Sequence, residues 1–182
     1  MPILVCPLSC VADLVAKRRP ARVISALDPD VAFPELGPTF GGRHLCLSFE
    51  DVHRSAPRVI GPSTEHVQQL LSFLDQWDDS VEVLLIHCQA GISRSTAFAF
   101  ITACYRNPDV SELLIARELR RAAPLARPNQ RLVELADTAM RRDGRMSAAI
   151  IHICRGLGWP DVEEGVPFEL PSRFDGRAAP AR

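Results

Sequence analysis

The sequence predicts an α/β fold: a mostly parallel central sheet flanked by helices, with a helical C-terminal half. Three features predict it. Short β-branched and apolar runs recur through the first half of the chain, each bounded by turn residues. Helical stretches, amphipathic or wholly apolar, lie between and after them. One run, residues 81–86, is apolar on both faces once past its start, the pattern of a strand covered on both sides. At 182 residues with 47% hydrophobic side chains, the chain can bury one sizeable core. We assign a domain to 1–145 and read 146–182 as a C-terminal helix and irregular tail packed on the same domain.

Element by element, residues 3–5 read as a first strand, and Ser9 can cap a helix reaching about Lys17. A basic turn, Lys17-Arg18-Arg19-Pro20, follows. Residues 22–27 and 43–49 read as the second and third strands. Between them, residues 28–42 hold three prolines and three glycines with little periodicity, a loop that reads as a connector near the mouth of any site. Ser63 can cap a helix whose Val67, Leu70, Leu71, Leu74 and Trp77 share one face. The run 81–86 ends at His87, and from Arg94 the chain is apolar nearly all round until Asn107-Pro108 stops it, which predicts a buried helix. Helices over 111–122 and 128–142 follow, the second with Pro128 in its first turn and Gly144 past its end. Residues 146–154 read as one more helix. Glycines and prolines then break any regular pattern; Phe168, Leu170 and Phe174 are expected to pack back, and the last few residues to be mobile.

Composition narrows the function. A net charge of −1 provides no basic footprint for nucleic acid. No stretch is long and apolar enough to span a bilayer, and residues 1–6 lack the basic start and long apolar core of a signal peptide, so cytoplasmic residence is expected. Lys17 is the one lysine among 21 basic residues, a skew that reads as the coding of a GC-rich bacterium. The cysteines, at 6, 10, 46, 88, 104 and 154, form neither a Cys-x-x-Cys pair nor a zinc spacing, so neither a disulfide framework nor a metal is expected.

The segment His87-Cys88-Gln89-Ala90-Gly91-Ile92-Ser93-Arg94-Ser95 carries the chemistry. A strand that ends in a glycine-containing turn and runs at once into a helix directs unpaired backbone N–H groups into one concavity at the helix's positive end, where anions bind. A cysteine seated there, with a guanidinium beside it, is favoured as the thiolate. Nucleophile and phosphate cradle then coincide.

His-Cys-x-x-Gly-x-x-Arg-Ser resembles the signature of the cysteine-based protein tyrosine phosphatases, and Ala90-Gly91-Ile92-Ser93-Arg94-Ser95 is most similar to their dual-specificity branch. The resemblance implies a phosphatase-like fold and a cysteinyl-phosphate intermediate. It implies Cys88 as nucleophile, Arg94 and the loop Gln89, Ala90, Gly91, Ile92 and Ser93 as phosphate ligands, and Ser95 as a hydroxyl assisting the sulfur. His87 is expected to orient the cysteine backbone. The departing oxygen needs a proton, and the family places its acid on a loop after a strand, where Phe49-Glu50-Asp51-Val52-His53 stands; Asp51 is the choice and Glu50 the runner-up. His53 and Arg54 read as exposed loop residues. Asn129, in Arg127-Pro128-Asn129, is similar to the asparagine that braces the phosphate loop, with an ordinary first-turn helix residue as the competing account.

Cys46 stands shortly before the acid loop, as a simple buried residue or as a partner that could protect oxidised Cys88 in a disulfide. No cofactor is implied. The expected partner is a phosphorylated protein, with neither nucleic acid nor membrane. The loop lacks the lysine that a polyphosphorylated inositol lipid would call for. A phosphate-binding pseudophosphatase, a sulfurtransferase and an arsenate reductase are the alternatives, the last disfavoured by the absence of a resolving cysteine close by.

Overall fold

The computed structural model describes residues 1–53 and 59–174, without the side chain of Thr39. Arg54, read above as an exposed loop residue, and residues 175–182, read as mobile, lie outside the described residues. The chain folds into a five-stranded sheet of order β3-β2-β4-β1-β5 with six α-helices among the described residues. The strands are β1 (Pro2–Pro7), β2 (Arg22–Leu27), β3 (His44–Ser48), β4 (Leu84–Cys88) and β5 (Phe168–Pro171). β1 to β4 run parallel, and β5 pairs antiparallel with the edge of β1. The helices are α1 (Val11–Arg18), α2 (Thr64–Asp75), α3 (Arg94–Arg106), α4 (Glu112–Ala122), α5 (Gln130–Ala139) and α6 (Arg145–Cys154).

Alternation along the strands divides the sheet's side chains between two cores. Ile3, Val5, Ile24, Ala26, Leu84, Ile86 and Cys88 enter the large core with Phe49, Leu70, Leu74, Trp77 and Phe98. Leu4, Cys6, Val23 and Leu85 face the other way and pack with Val11 of α1. α3 is buried from Arg94 to Cys104, as its all-round apolar sequence predicts. α2 carries the Ser63 cap, whose side chain takes the His66 backbone N–H while the His66 ring accepts from the Ser63 N–H, a reciprocal capping box.

Four expectations are corrected. Residues 81–83 are not strand: the ladder begins at Leu84, paired with Ile3 and Arg22, and runs through His87 and Cys88, because hydrogen-bond register and not apolarity sets its ends. Ser9 does not cap α1; it sits in a 3₁₀ turn, Leu8–Cys10, and its hydroxyl donates to Glu164 at 2.6 Å. Pro128 precedes α5 instead of opening it, since the Asn129 side chain accepts the Leu132 N–H at 3.0 Å and is the cap. The tail is not irregular throughout, for residues 168–171 add β5 to the sheet. Within it Leu170 is fully buried, and Phe168 and Phe174 pack against the large core.

Candidate functional site

Cys88 is the last residue of β4, an interior strand, and α3 begins at Arg94. The intervening loop therefore lies at the carboxyl end of a parallel sheet, where open α/β folds bind ligands. In a trans peptide group the C=O and N–H point in opposite directions, so fixing a carbonyl outward turns the following N–H inward. Here the Gln89 carbonyl accepts from Leu8 N (3.0 Å), that of Ala90 from Gly165 N (2.8 Å), that of Ile92 from Arg127 N (2.9 Å) and that of Ser93 from Asn129 N (3.3 Å) and Ala97 N (2.9 Å). The Thr96 hydroxyl adds bonds to Ile92 O at 2.6 Å and Ser93 O at 2.9 Å. The amides of Ala90, Gly91, Ser93 and Arg94 consequently face the concavity. Gly91 stands at φ +70°, and a Cβ there would lie 2.6 Å from Pro7 N; glycine is required on both counts.

The sulfur of Cys88 accepts the Gly91 N–H at 3.2 Å and lies 3.1 Å from the Ser95 hydroxyl. Arg94 is 3% exposed. Its Nη1 and Nη2 donate to the two oxygens of Asp28 at 3.0 Å each, and Nη1 also donates to Phe49 O at 2.7 Å. The guanidinium thus spends its outer edge on the protein. Its Nε is buried without a hydrogen bond among the described residues, 3.8 Å from Asp51 Oδ2, so the donors left over lie on the Nε–Nη2 edge. A guanidinium with Nε unpaired and one Nη2 hydrogen to spare, beside inward amides, is a fitting receptor for a bidentate oxyanion.

Asp51 is anchored through Oδ1, which accepts from Ser93 Oγ at 2.8 Å and from Asn129 Nδ2 at 2.7 Å. Glu50 uses its backbone N–H on Ile60 O at 2.7 Å, and its carboxylate meets none of the loop groups among the described residues. Asn129, fully buried, caps α5 and also links the loop 89–94, through its N–H to Ser93 O, to the Asp51 carboxylate and Val52 O. His53 is exposed, its Nδ1 accepting the Gln130 N–H at 3.4 Å.

No protein-family model matches the sequence, and no curated protein matches it. Among solved structures, the chain is similar to the PTP-2 phosphatase of Cydia pomonella, at 22% identity and TM-score 0.55 over 74% of this chain and 83% of that one. It is similar also to DUSP15, at 17% identity and TM-score 0.52 over 86% and 92% of the two chains. The chain shares the fold of these two phosphatases.

Two further expected residues, His87 and Cys46, have their own surroundings, and the His87 ring meets the Cys88 backbone. His87 points to the opposite sheet face from Cys88, fully buried, with Nε2 2.5 Å from Ser25 Oγ, which in turn lies 2.7 Å from His44 Nε2. Burial pushes its imidazole down to about 4, so it is neutral near pH 7. Cys46 does not fit a disulfide with Cys88. It pairs in register with Ser25, whereas Cys88 pairs with Ala26, so the two thiols lie on opposite faces with β2 between their strands, about 9–10 Å across at ordinary strand spacing; a disulfide requires Cα atoms within about 7 Å.

Asp28 is the site residue missed from sequence. It opens a stretch read as a connector, and its one signal was an acidic residue directly after a parallel strand.

Proposed function

We infer that the chain is a phosphoprotein phosphatase that hydrolyses phosphate monoesters through a cysteinyl-phosphate, acting on phosphotyrosine or with dual specificity. The observation that carries this reading is the sulfur of Cys88 at the floor of a ring of inward amides, beside the unfilled Arg94 edge. In the proposed reaction the Cys88 thiolate attacks phosphorus while Arg94 and the amides of the loop 89–94 hold the equatorial oxygens. The P–O bond to the leaving group breaks, and Asp51 gives that oxygen its proton. Water then attacks the phosphocysteine, Asp51 takes a proton from it, and the S–P bond breaks as the Ser95 hydroxyl donates to the departing sulfur. His87 supports the end of β4 through Ser25, and Asn129 holds Asp51 against the loop.

Asp51 is favoured over Glu50 because its carboxylate is tied to the loop by Ser93 and Asn129. Hydrolysis of p-nitrophenyl phosphate by the purified chain, abolished in Cys88→Ser, tests the reading. A wild-type chain that binds phosphate without turnover would make it a pseudophosphatase, and turnover of thiosulfate or arsenate instead would move it to transferase or reductase chemistry.

A further inference from the structure

Among the supports of the loop 89–94, one comes from the C-terminal segment of the described chain. Between α6 and β5 the chain crosses the outer side of the loop as a strap. There Gly165 N–H donates to Ala90 O at 2.8 Å. The strap is pinned at two other points: Glu164 accepts from Ser9 Oγ at 2.6 Å, and Gly158 O accepts from Arg127 Nε at 2.8 Å. It fits closely, since a Cβ added at Gly165 would lie 3.2 Å from Gly91 O and 3.3 Å from Ile92 Cγ1. The strap's far end is fixed by β5, paired with β1 from Pro2 to Val5.

The peptide group joining Ala90 to Gly91 is the one whose carbonyl meets Gly165 and whose N–H meets the sulfur of Cys88 at 3.2 Å. Both bonds belong to one rigid trans plane. If Gly165 releases the carbonyl, nothing else among the described residues holds the Ala90 oxygen outward, and glycine at position 91 gives the plane freedom to turn. Turning removes the N–H from the sulfur and aims a carbonyl oxygen toward the thiolate and any bound oxyanion. We propose that Gly165 is a positioning residue for Cys88: the C-terminal strap, through one backbone N–H, fixes the peptide plane that stabilises the thiolate. This rests on the phosphatase reading for its functional meaning, but its geometry stands apart from turnover.

The test removes one N–H. The full chain is assembled by ligating a synthetic peptide beginning at Cys154, with the amide between Glu164 and Gly165 replaced by an ester, and the control carries the same replacement at Gly158, whose carbonyl and not its N–H makes the strap contact. Iodoacetate labelling of Cys88 at pH 6, followed by mass spectrometry, reads the thiolate; vanadate binding reads the ring. The ester chain is expected to label about tenfold more slowly and to bind vanadate about tenfold more weakly than the control, the scale of one hydrogen bond to a charged group. Its thermal midpoint should stay near the control's, which a merely structural role would not permit. Gly165→Pro, in an expressed protein, removes the same donor and also sets ring atoms against Ala90 O and Gly91 O, so its loss should be at least as large. Labelling and vanadate binding at the control's level in either chain would overturn the proposal. A native chain whose Cys88 labels no faster than Cys46 would instead overturn the phosphatase reading.

Discussion

Arg94 is held on one edge so that its other edge is offered, and the residue that holds it is Asp28. A bidentate pair between a 3% exposed guanidinium and a carboxylate fixes the plane of the fork as well as its charge. Asp28→Asn keeps the shape but loses the charge-assisted pair, and kcat/KM for p-nitrophenyl phosphate should fall about 10- to 100-fold, with weaker phosphate binding, on the scale of a lost charged hydrogen bond. Unchanged phosphate affinity would reduce the pair to a structural one. Asn129 joins two tasks that substitution can separate. Asn129→Asp keeps an oxygen to accept the Leu132 N–H, so the cap and the melting temperature should be largely retained. It loses the Nδ2 donor and sets a second carboxylate against Asp51, so turnover should fall, most for esters with poor leaving groups. Equal losses across leaving groups would contradict the assignment of Asp51 as acid. Cys88, Arg94 and the loop were legible because a fixed spacing encodes them locally. Asp28 was not, because its importance comes from meeting Arg94 across two strands.

At the level of elements, local chemistry was readable where one segment decides the outcome. The Ser63 cap, the all-round burial of α3 and its stop at Asn107-Pro108 all follow from neighbouring residues. What failed was set by other segments. β4 starts at Leu84 because β1 and β2 pair with it there, and Ser9 is drawn to Glu164, which arrives from the far end of the chain. The polar row Ser25, His87 and His44 across β2, β4 and β3 was equally invisible, since it exists only through sheet register. It has a measurable consequence. An unfolded imidazole titrates near pH 6.5, whereas His87 in the folded chain titrates at about 4. The unfolded chain therefore binds the proton first, so stability falls as pH drops from about 6.5 to about 4 and levels off below, by roughly 3 kcal/mol for this group. Urea unfolding of the wild type and His87→Gln at intervals between pH 7 and 4 should show a loss in the wild type that the variant lacks. Parallel pH dependences would show that the imidazole does not titrate as the buried row requires.

Across the whole molecule, the two ends of the described chain close around one ion cluster. The N-terminal ammonium donates to Asp79 O at 2.7 Å, and Arg106 and Arg173 meet the Asp79 carboxylate at 2.5 and 2.6 Å. Burial acts to raise that carboxyl, but the hydrogen bonds from the two arginines win and hold it at about 2. This contribution to stability is present above the ordinary aspartate range and is lost only as pH falls from about 4 toward 2, below the His87 window. The fold class and strand order of appearance were legible because apolar periodicity carries them. β5 was not, as residues 168–171 end in proline and become a strand only beside β1. That nonlocal strand is what carries the strap to the phosphate loop. The central claim, that Cys88 attacks phosphorus inside the ring, is tested most directly by quenching Asp51→Asn during turnover of p-nitrophenyl phosphate and sequencing its peptides by mass spectrometry. The account predicts one phosphoryl group on the sulfur of Cys88; turnover with that sulfur never phosphorylated, or a phosphoryl group on another side chain, would contradict it.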